Sequence, residues 1–114
     1  MENVIYNELR MRGYNVDVGV IATTEKNQEG KVVRKQLEVD FVCNLGSSRY
    51  YIQSAYSLPD EAKRIQEIRP FRKIDDSFKK IVITRDIVQP YYDDYGILTV
   101  SIYDFLLDPE IIYK

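Results

Sequence analysis

The stretch LEVDFVCNLGSSRYYIQSA, residues 37–55, decides the fold because it holds two strand patterns and the turn between them. Apolar and charged side chains alternate before the turn, which predicts a half-buried strand over residues 32–43. The NLGSS segment at 44–48 is rich in turn-forming residues. The run that follows, residues 49–55, is rich in tyrosine and predicts the next strand. The centre of the chain is therefore predicted to be strand, turn and strand.

Outward from this stretch, the N-terminal side adds a strand and a helix. Residues 14–21 alternate apolar and polar side chains and predict a strand, which a turn at 24–31 connects to the central pair. Apolar residues at helical spacing ahead of Gly13 predict an amphipathic helix over the first dozen residues. The first half of the chain is thus predicted to be a helix followed by three strands.

The C-terminal side begins with a helix. Ser57-x-x-Asp60, with Pro59 in the first turn, is a capping-box-like start that predicts a helix over Asp60 to Arg69, ended by Pro70. The unalternating apolar run that comes next is typical of a strand covered on both faces. That strand, a last strand and a short helix are predicted at 80–84, 96–100 and 102–107. The order is αβββαβ with a final β and α, which predicts an α/β fold with a mixed central sheet flanked by helices.

Composition excludes several classes of site. The 114 residues, 45% of them hydrophobic, predict a single domain over 1–114. The absence of His and the single Cys43 exclude histidine-based triads, the usual zinc sites and a disulfide framework, so any metal must be held by oxygen. No apolar run approaches a membrane helix and no signal-peptide pattern begins the chain. We therefore expect a cytoplasmic protein that does not bind membranes.

Charge is unevenly distributed although the net charge is only −2. Residues 86–114 carry six acids against Lys114, whereas residues 61–80 are the most cationic stretch. Such a run is most often the solvated face of a helix and loop, and the alternative is a phosphate-contacting surface. The residues predicted to contact DNA are Lys63, Arg64, Arg69, Arg72 and Lys73.

Period-two geometry places Asp40 on one face of its strand with Glu38, and Gln53 on one face of the next strand with Ala55. If the two faces coincide, and if Glu8 points inward from the first helix, oxygen ligands gather that suit Mg²⁺ or Mn²⁺. The alternatives are structural: an acid on a strand is commonly solvated or paired with an arginine, and Glu8 can pair with the arginine one turn later.

Several segments together resemble a known domain. They are ENVIYNEL at 2–9 with RGY at 12–14, LEVDFV at 37–42, YIQSAYSL at 51–58, RP at 69–70 and DFLL at 104–107. The chain resembles, over nearly its whole length, the C-terminal domain of unknown function that follows the ATPase module in a prokaryotic group of AAA-type ATPases. Through that domain it resembles the PD-(D/E)XK nuclease superfamily, which implies a restriction-endonuclease-like fold.

In that superfamily a helix acid, a strand Asp and an acid-x-Lys on the next strand build a divalent-metal site that activates water against a phosphodiester. The resemblance implies that Glu8 is the helix acid and Asp40 the motif Asp, whereas Gln53 stands in place of the second acid and Ala55 in place of the Lys. Glu8, Asp40 and Gln53 are therefore the predicted catalytic residues and ligands of Mg²⁺ or Mn²⁺. Gln53 still offers one neutral oxygen, but Ala55 offers no ammonium to the reaction.

Three functions are consistent with these residues. The leading hypothesis is a nuclease-like accessory domain that binds DNA or a partner protein, with catalysis lost or weak. The second is an active nuclease that uses Glu8, Asp40 and Gln53, and the third is a protein-docking module. Because the chain contains no GxxxxGK[ST] motif, the expected partner is an ATPase module elsewhere in a parent protein, from which this domain is excised.

Overall fold

The computed structural model describes residues 1–74 and 76–113, with the main chain alone at Thr23, and forms an α/β fold in which helices flank a mixed sheet. The elements are α1 (Glu2–Met11), β1 (Asn15–Lys26), β2 (Val32–Leu45), β3 (Ser48–Ala55), α2 (Glu61–Arg72), β4 (Lys79–Thr84), β5 (Tyr91–Tyr92), β6 (Leu98–Ser101), α3 (Ile102–Leu107) and a 3-10 turn (Ile111–Tyr113). The predicted order is confirmed, and the short strand β5 is added to it. None of the helices in these ranges has the length and apolar character that a membrane crossing requires.

Six strands in the described ranges form one sheet in the order β1-β2-β3-β4-β6-β5. The first three are antiparallel neighbours, β3, β4 and β6 are parallel, and β5 is antiparallel to β6. Because β3, β4 and β6 run in the same direction, their C-terminal residues meet at one end of the sheet and their N-terminal residues at the other.

Helices α1 and α3 cover one face of the sheet and α2 covers the other. Ile5 of α1 and Phe105 of α3 belong to one buried cluster, and Ile68 of α2 belongs to a second. Strand β4 contributes to both clusters, since Ile81 packs in the first and Val82 in the second. The unalternating sequence of this strand is explained by its burial on both faces.

A bulge interrupts the pairing of β1 with β2. Gly19 pairs with Val39, but Asp17 pairs with Val42, so β2 holds one residue more than β1 across this interval. Val39 packs with the α2 cluster, whereas Phe41, two residues later, packs with the α1 cluster. Simple period-two alternation therefore fails at residues 40–41.

Helix α2 differs at both ends from the sequence prediction. Its N-cap is Asp60, whose side chain accepts a hydrogen bond from Lys63 N at 2.8 Å, and Ser57 lies outside the helix. The helix also continues past Pro70 to Arg72. The prediction that Pro70 ends it is wrong because the missing N–H costs one bond near the C-terminus, while burial of Phe71 holds the last turn against the sheet.

Candidate functional site

The candidate site lies where β3 and β4 end, and it is built around Asp40. Asp40 Oδ2 accepts hydrogen bonds from Ser54 N at 2.7 Å and from Ser54 Oγ at 2.9 Å. Asp40 N in turn donates to Gln53 Oε1 at 3.0 Å. The register of β2 with β3 ends at the pair Phe41 and Ile52, so these side-chain bonds continue the connection between the strands beyond it. Asp40 and Gln53 hold the two strands together.

A second carboxylate approaches the same serine. Ser54 Oγ lies 3.4 Å from Oε1 of Glu2, the first residue of α1. A hydroxyl has one proton to donate, so it cannot satisfy both carboxylates at once. Glu2, Asp40 and Ser54 form what we call the acid–hydroxyl cluster. It borders a recess of about 400 Å³ that is lined by Met1, Glu2, Asn3, Ser54 and Tyr56.

Gln53 does not face this cluster. Tyr51 and Ala55, its period-two neighbours on β3, pack in the α2 cluster, whereas Ser54 faces Asp40. The faces of Asp40 and Gln53 therefore do not coincide, because the bulge and the strand twist bring Ser54 opposite Asp40 instead. The Gln53 oxygen serves a structural hydrogen bond to the main chain of β2.

Glu8 lies apart from Asp40. Its Oε1 forms an ion pair with Arg12 Nη2 at 3.2 Å, and Arg12 also donates to the main-chain oxygen of Phe105 at 2.5 Å. Glu8 lies six positions after Glu2, about 9 Å along the helix axis. The structure thus brings Glu2 to Asp40, whereas Glu8 pairs with Arg12, the side chain that bonds α3. ENVIYNEL contains both acids, and only the position of the helix end against the sheet distinguishes them.

The position where the resemblance calls for a lysine holds a buried alanine. Ala55 is 3% exposed and packs in the α2 cluster. A cation at this end of the sheet is Arg85, which follows Thr84, the parallel-strand partner of Ala55. The Arg85 guanidinium lies 4.4 Å from the ring centre of Tyr56 and donates a hydrogen bond to the hydroxyl of that tyrosine.

The oxygen donors of the acid–hydroxyl cluster suit a hard divalent cation in kind. Within residues 1–74 and 76–113, no group of three or more acidic, histidine or cysteine residues is close enough to hold a metal. The cluster supplies two carboxylates, one on each side of the Ser54 hydroxyl. Mg²⁺ in proteins is commonly bound by one or two carboxylates together with several waters, and Glu2 and Asp40 could supply the two carboxylates.

One of the five predicted DNA contacts is buried within the fold. Arg64 is 7% exposed, forms an ion pair with Asp93 at 2.5 Å and donates to the hydroxyl of Tyr91 at 3.0 Å. This side of α2 packs on the segment around β5, so the guanidinium of Arg64 is engaged inside the protein. Partial burial acts to raise the pKa of Asp93, but hydrogen bonds from Arg64 and from main-chain N–H groups outweigh it and lower that pKa below its ordinary 3.8.

The other four predicted DNA contacts remain on the surface. Lys63 pairs with Glu67 at 2.9 Å, and Lys73 pairs with Glu25 at 3.0 Å. Arg69 and Arg72, in the C-terminal part of α2, are exposed. The two lysines are partly neutralised, so the arginines carry most of the available positive charge of this helix.

Cys43 takes no part in a reactive site. It is fully buried in the α1 cluster, where it packs as a small hydrophobic residue. Burial and, to a smaller extent, the charge of Asp17 raise the pKa of its thiol to about 12. The thiolate that a nucleophile needs is therefore absent near neutral pH.

No family model matches the chain. The chain is similar to an uncharacterized protein of Haemophilus influenzae, with 29% identity over 107 residues. The match covers 94% of this chain and 22% of that protein, so the chain spans about a fifth of the length of this curated relative.

Proposed function

We propose that this chain is a restriction-endonuclease-like domain of the PD-(D/E)XK kind that binds a divalent cation and DNA at the acid–hydroxyl cluster without cutting the DNA. The observation that carries the proposal is the position of the Ser54 hydroxyl between the carboxylates of Glu2 and Asp40. The resemblance implies an acid on the first helix beside the strand Asp and assigns it to Glu8, whereas in this proposal Glu2 takes that part. The αβββαβ order and the mixed sheet support the same fold.

The domain is proposed to accompany an ATPase module in a longer protein. The chain itself has no GxxxxGK[ST] motif to cradle ATP phosphates. The Haemophilus influenzae relative extends far beyond the matched region, which is consistent with a second module there. The domain would then serve to hold DNA close to the ATPase.

Each residue of the cluster has a distinct part in binding. Bound Mg²⁺ or Mn²⁺ supplies positive charge for a phosphate oxygen. Asp40 and Glu2 hold the cation, and the two hydrogen bonds from Ser54 fix the orientation of the Asp40 carboxylate. Removal of that orientation is expected to weaken binding even where both acids remain.

Loss of catalysis is supported by what stands at the other two motif positions. Ala55 brings no ammonium to stabilise charge developing on a phosphate, and its burial leaves no space for one. Gln53 is engaged with the main chain of Asp40. Removal of one electrostatic group from such a site commonly costs about 10²–10³ in rate.

Metal binding is the direct test of the cluster. Titration of Mn²⁺ into the protein, followed by calorimetry, is expected to show binding that Glu2→Gln weakens by about tenfold or more, because one charged ligand becomes neutral. Glu8→Gln is the matched control, since it makes the same chemical change on the same helix and is expected to leave binding unaltered. Equal weakening by both variants, or no binding by the wild type, would contradict the proposal.

DNA binding and cleavage are measured on the same proteins. Labelled DNA is expected to bind more tightly with Mn²⁺ than with EDTA, and Asp40→Asn is expected to remove that difference. Asp40→Asn is preferred to Asp40→Ala because the amide oxygen can still accept a hydrogen bond from Ser54. Binding that is indifferent to metal and to Asp40 would favour a protein-docking role for this end of the sheet.

An active nuclease is the second candidate, and the position of Arg85 is the observation that favours it. Its guanidinium lies at the same end of the sheet and is a cation that can stabilise charge on phosphate. That candidate predicts Mn²⁺-dependent cleavage that both Asp40→Asn and Arg85→Gln abolish. Cleavage that persists in Asp40→Asn would identify a contaminating nuclease.

A further inference from the structure

The end of the sheet opposite the acid–hydroxyl cluster exposes three aromatic rings, each with a cation beside it. Phe78, Tyr92 and Tyr95 are the rings, and Arg49, Lys79 and Arg72 are their respective cations. We call these six residues the ring–cation surface. The two ends lie about 17 Å apart, which is the length of β4 from Lys79 to Thr84.

The three pairs are close enough for cation–π attraction. Arg72 lies 4.3 Å from the ring centre of Tyr95, and Arg49 and Lys79 lie 5.5 Å and 5.4 Å from the ring centres of their partners. Similar pairs occur elsewhere among the described residues, including Arg85 with Tyr56 at the other end of the sheet. The three pairs place rings and positive charge side by side at this end.

The rings are open to solvent. Phe78 is 39% exposed, Tyr92 49% and Tyr95 56%, so each leaves ring surface uncovered by its cation. Phe78, Lys79, Tyr92 and Tyr95 line one recess of about 370 Å³. Among the described residues, no carboxylate lies within ion-pair distance of Arg49, Lys79 or Arg72. Asp76 also lines this recess and pairs with Lys80 at 3.3 Å, so the three cations of the surface are left for an anion.

The segment that carries two of the rings is held in place. Asp93 Oδ1 accepts hydrogen bonds from Tyr95 N at 2.8 Å and Ile97 N at 2.9 Å, and Asp93 Oδ2 pairs with the buried Arg64. Strand β5 fixes Tyr92 beside β6. A partner that stacks on these rings does not have to order the segment first, which lowers the entropic cost of binding.

We propose that the ring–cation surface binds single-stranded nucleic acid, with bases stacked on the three rings and phosphates beside the three cations. Exposed aromatic rings beside cations that form no ion pair are the combination that sequence-tolerant single-strand binding uses. A duplex hides the faces of its bases, and an acidic peptide offers charge without a repeated flat ring. This surface is separate from the acid–hydroxyl cluster and needs no metal.

Fluorescence anisotropy of a labelled oligothymidylate, measured in EDTA at low salt, tests the proposal on the whole chain. The oligothymidylate is expected to bind more tightly than a duplex of equal length. Tyr95→Leu and Phe78→Leu are each expected to weaken binding by roughly tenfold, the usual effect of removing one stacking ring. Lys79→Gln is expected to weaken binding and to lower its dependence on salt.

Two control variants separate this effect from general surface changes. Tyr103→Leu removes a half-exposed tyrosine from α3, and Arg34→Gln removes an exposed arginine from β2. Both are expected to bind oligothymidylate as the wild type does. Polyglutamate, used as a competitor, is expected to displace the oligonucleotide only weakly.

The outcomes distinguish this proposal from the function proposed above. A duplex preference, or equal effects of the ring variants and Tyr103→Leu, would overturn single-strand binding. Displacement by polyglutamate as effective as that by unlabelled oligothymidylate would identify an acidic protein partner instead. These measurements are made without metal. A negative result would therefore not contradict Mn²⁺-dependent binding at the acid–hydroxyl cluster, which the Mn²⁺ titration tests independently.

Discussion

The two ends of the sheet treat their polar side chains in different ways. At the end with the acid–hydroxyl cluster, Asp40 and Gln53 bond to the main chain of neighbouring strands, so the groups that could do chemistry also hold the fold. At the ring–cation end, Arg72 and Tyr95 contact each other and solvent, and the fold is held beneath them by Arg64 and Asp93.

Because of this difference, substitutions at the two ends are expected to affect stability and binding in different ways. A change at the first end alters stability and binding together, because the same oxygen atom serves both. A change in the more exposed ring of Tyr95 at the second end is expected to alter binding at little cost in stability. The stability cost of a variant therefore distinguishes the two ends.

The largest effect is expected from Arg64→Met. The substitution leaves the partly buried carboxylate of Asp93 without its cation, and breaking a buried ion pair costs about 3–5 kcal/mol, which sets the upper range here. Urea denaturation measures the loss in free energy of unfolding. Lys63→Met is the matched control, because Lys63 forms an exposed ion pair one residue away, and such pairs contribute roughly 0–1 kcal/mol.

Arg64→Met is also expected to change how the stability of the protein depends on pH in the acid range. In the wild type the pKa of Asp93 is lower in the folded state than its ordinary 3.8, so its contribution to stability is complete above that pH and is lost as the pH falls through the folded value. Without the Arg64 guanidinium, the fall in stability below pH 3.8 should be smaller. An unchanged acid dependence would show that Arg64 does not set the pKa of Asp93.

A smaller loss is expected from Asp40→Ala. Two hydrogen bonds from Ser54 to a charged acceptor disappear, but both residues are partly exposed and water replaces part of these bonds, so the net loss is expected to be about 1.5–3 kcal/mol. Thermal and urea unfolding should both show the loss. Asp40→Asn should retain part of that stability while removing the charge, and equal stability of Asp40→Ala and wild type would mean that Asp40 is not structural.

Gly19→Ala is expected to cost about 1–3 kcal/mol, the usual effect of overpacking. A Cβ at this position would meet Val39 Cγ2 at 2.3 Å and Val39 O at 2.9 Å, beside the bulge that turns Asp40 toward α1. Because the main chain of β2 must move, the variant should also weaken Mn²⁺ binding. If the variant is less stable but binds Mn²⁺ with normal affinity, the geometry of the bulge does not control the metal site.

The smallest stability effect is expected from Glu8→Gln. The ion pair with Arg12 is partly exposed, and surface pairs at this spacing contribute roughly 0.3–0.5 kcal/mol. Arg12 keeps its bond to the Phe105 oxygen and its position 4.6 Å from the Phe105 ring centre. Urea unfolding measures this change. A loss of several kcal/mol in the free energy of unfolding would contradict the minor structural role that the contacts of Glu8 indicate.

Most of the fold was predictable because hydrophobic periodicity reports burial directly. The alternation in 14–21 and 32–43, and the unalternating run at 80–84, each led to the correct element. The candidate site was predictable only for Asp40. Helix spacing cannot distinguish Glu2 from Glu8, since the choice depends on which end of α1 meets the sheet, and period two cannot foresee a bulge.

The sequence by itself determined the order of elements, the burial of β4 on both faces and the lack of any nitrogen or sulfur metal ligand set, because these depend on residue type and local spacing. The tertiary structure alone decided that Ser54 lies between Glu2 and Asp40, that Arg64 is buried, and that three rings share one end of the sheet. Those arrangements join residues far apart in the chain, and their geometry follows from strand order, twist and one extra residue in β2 rather than from any local pattern.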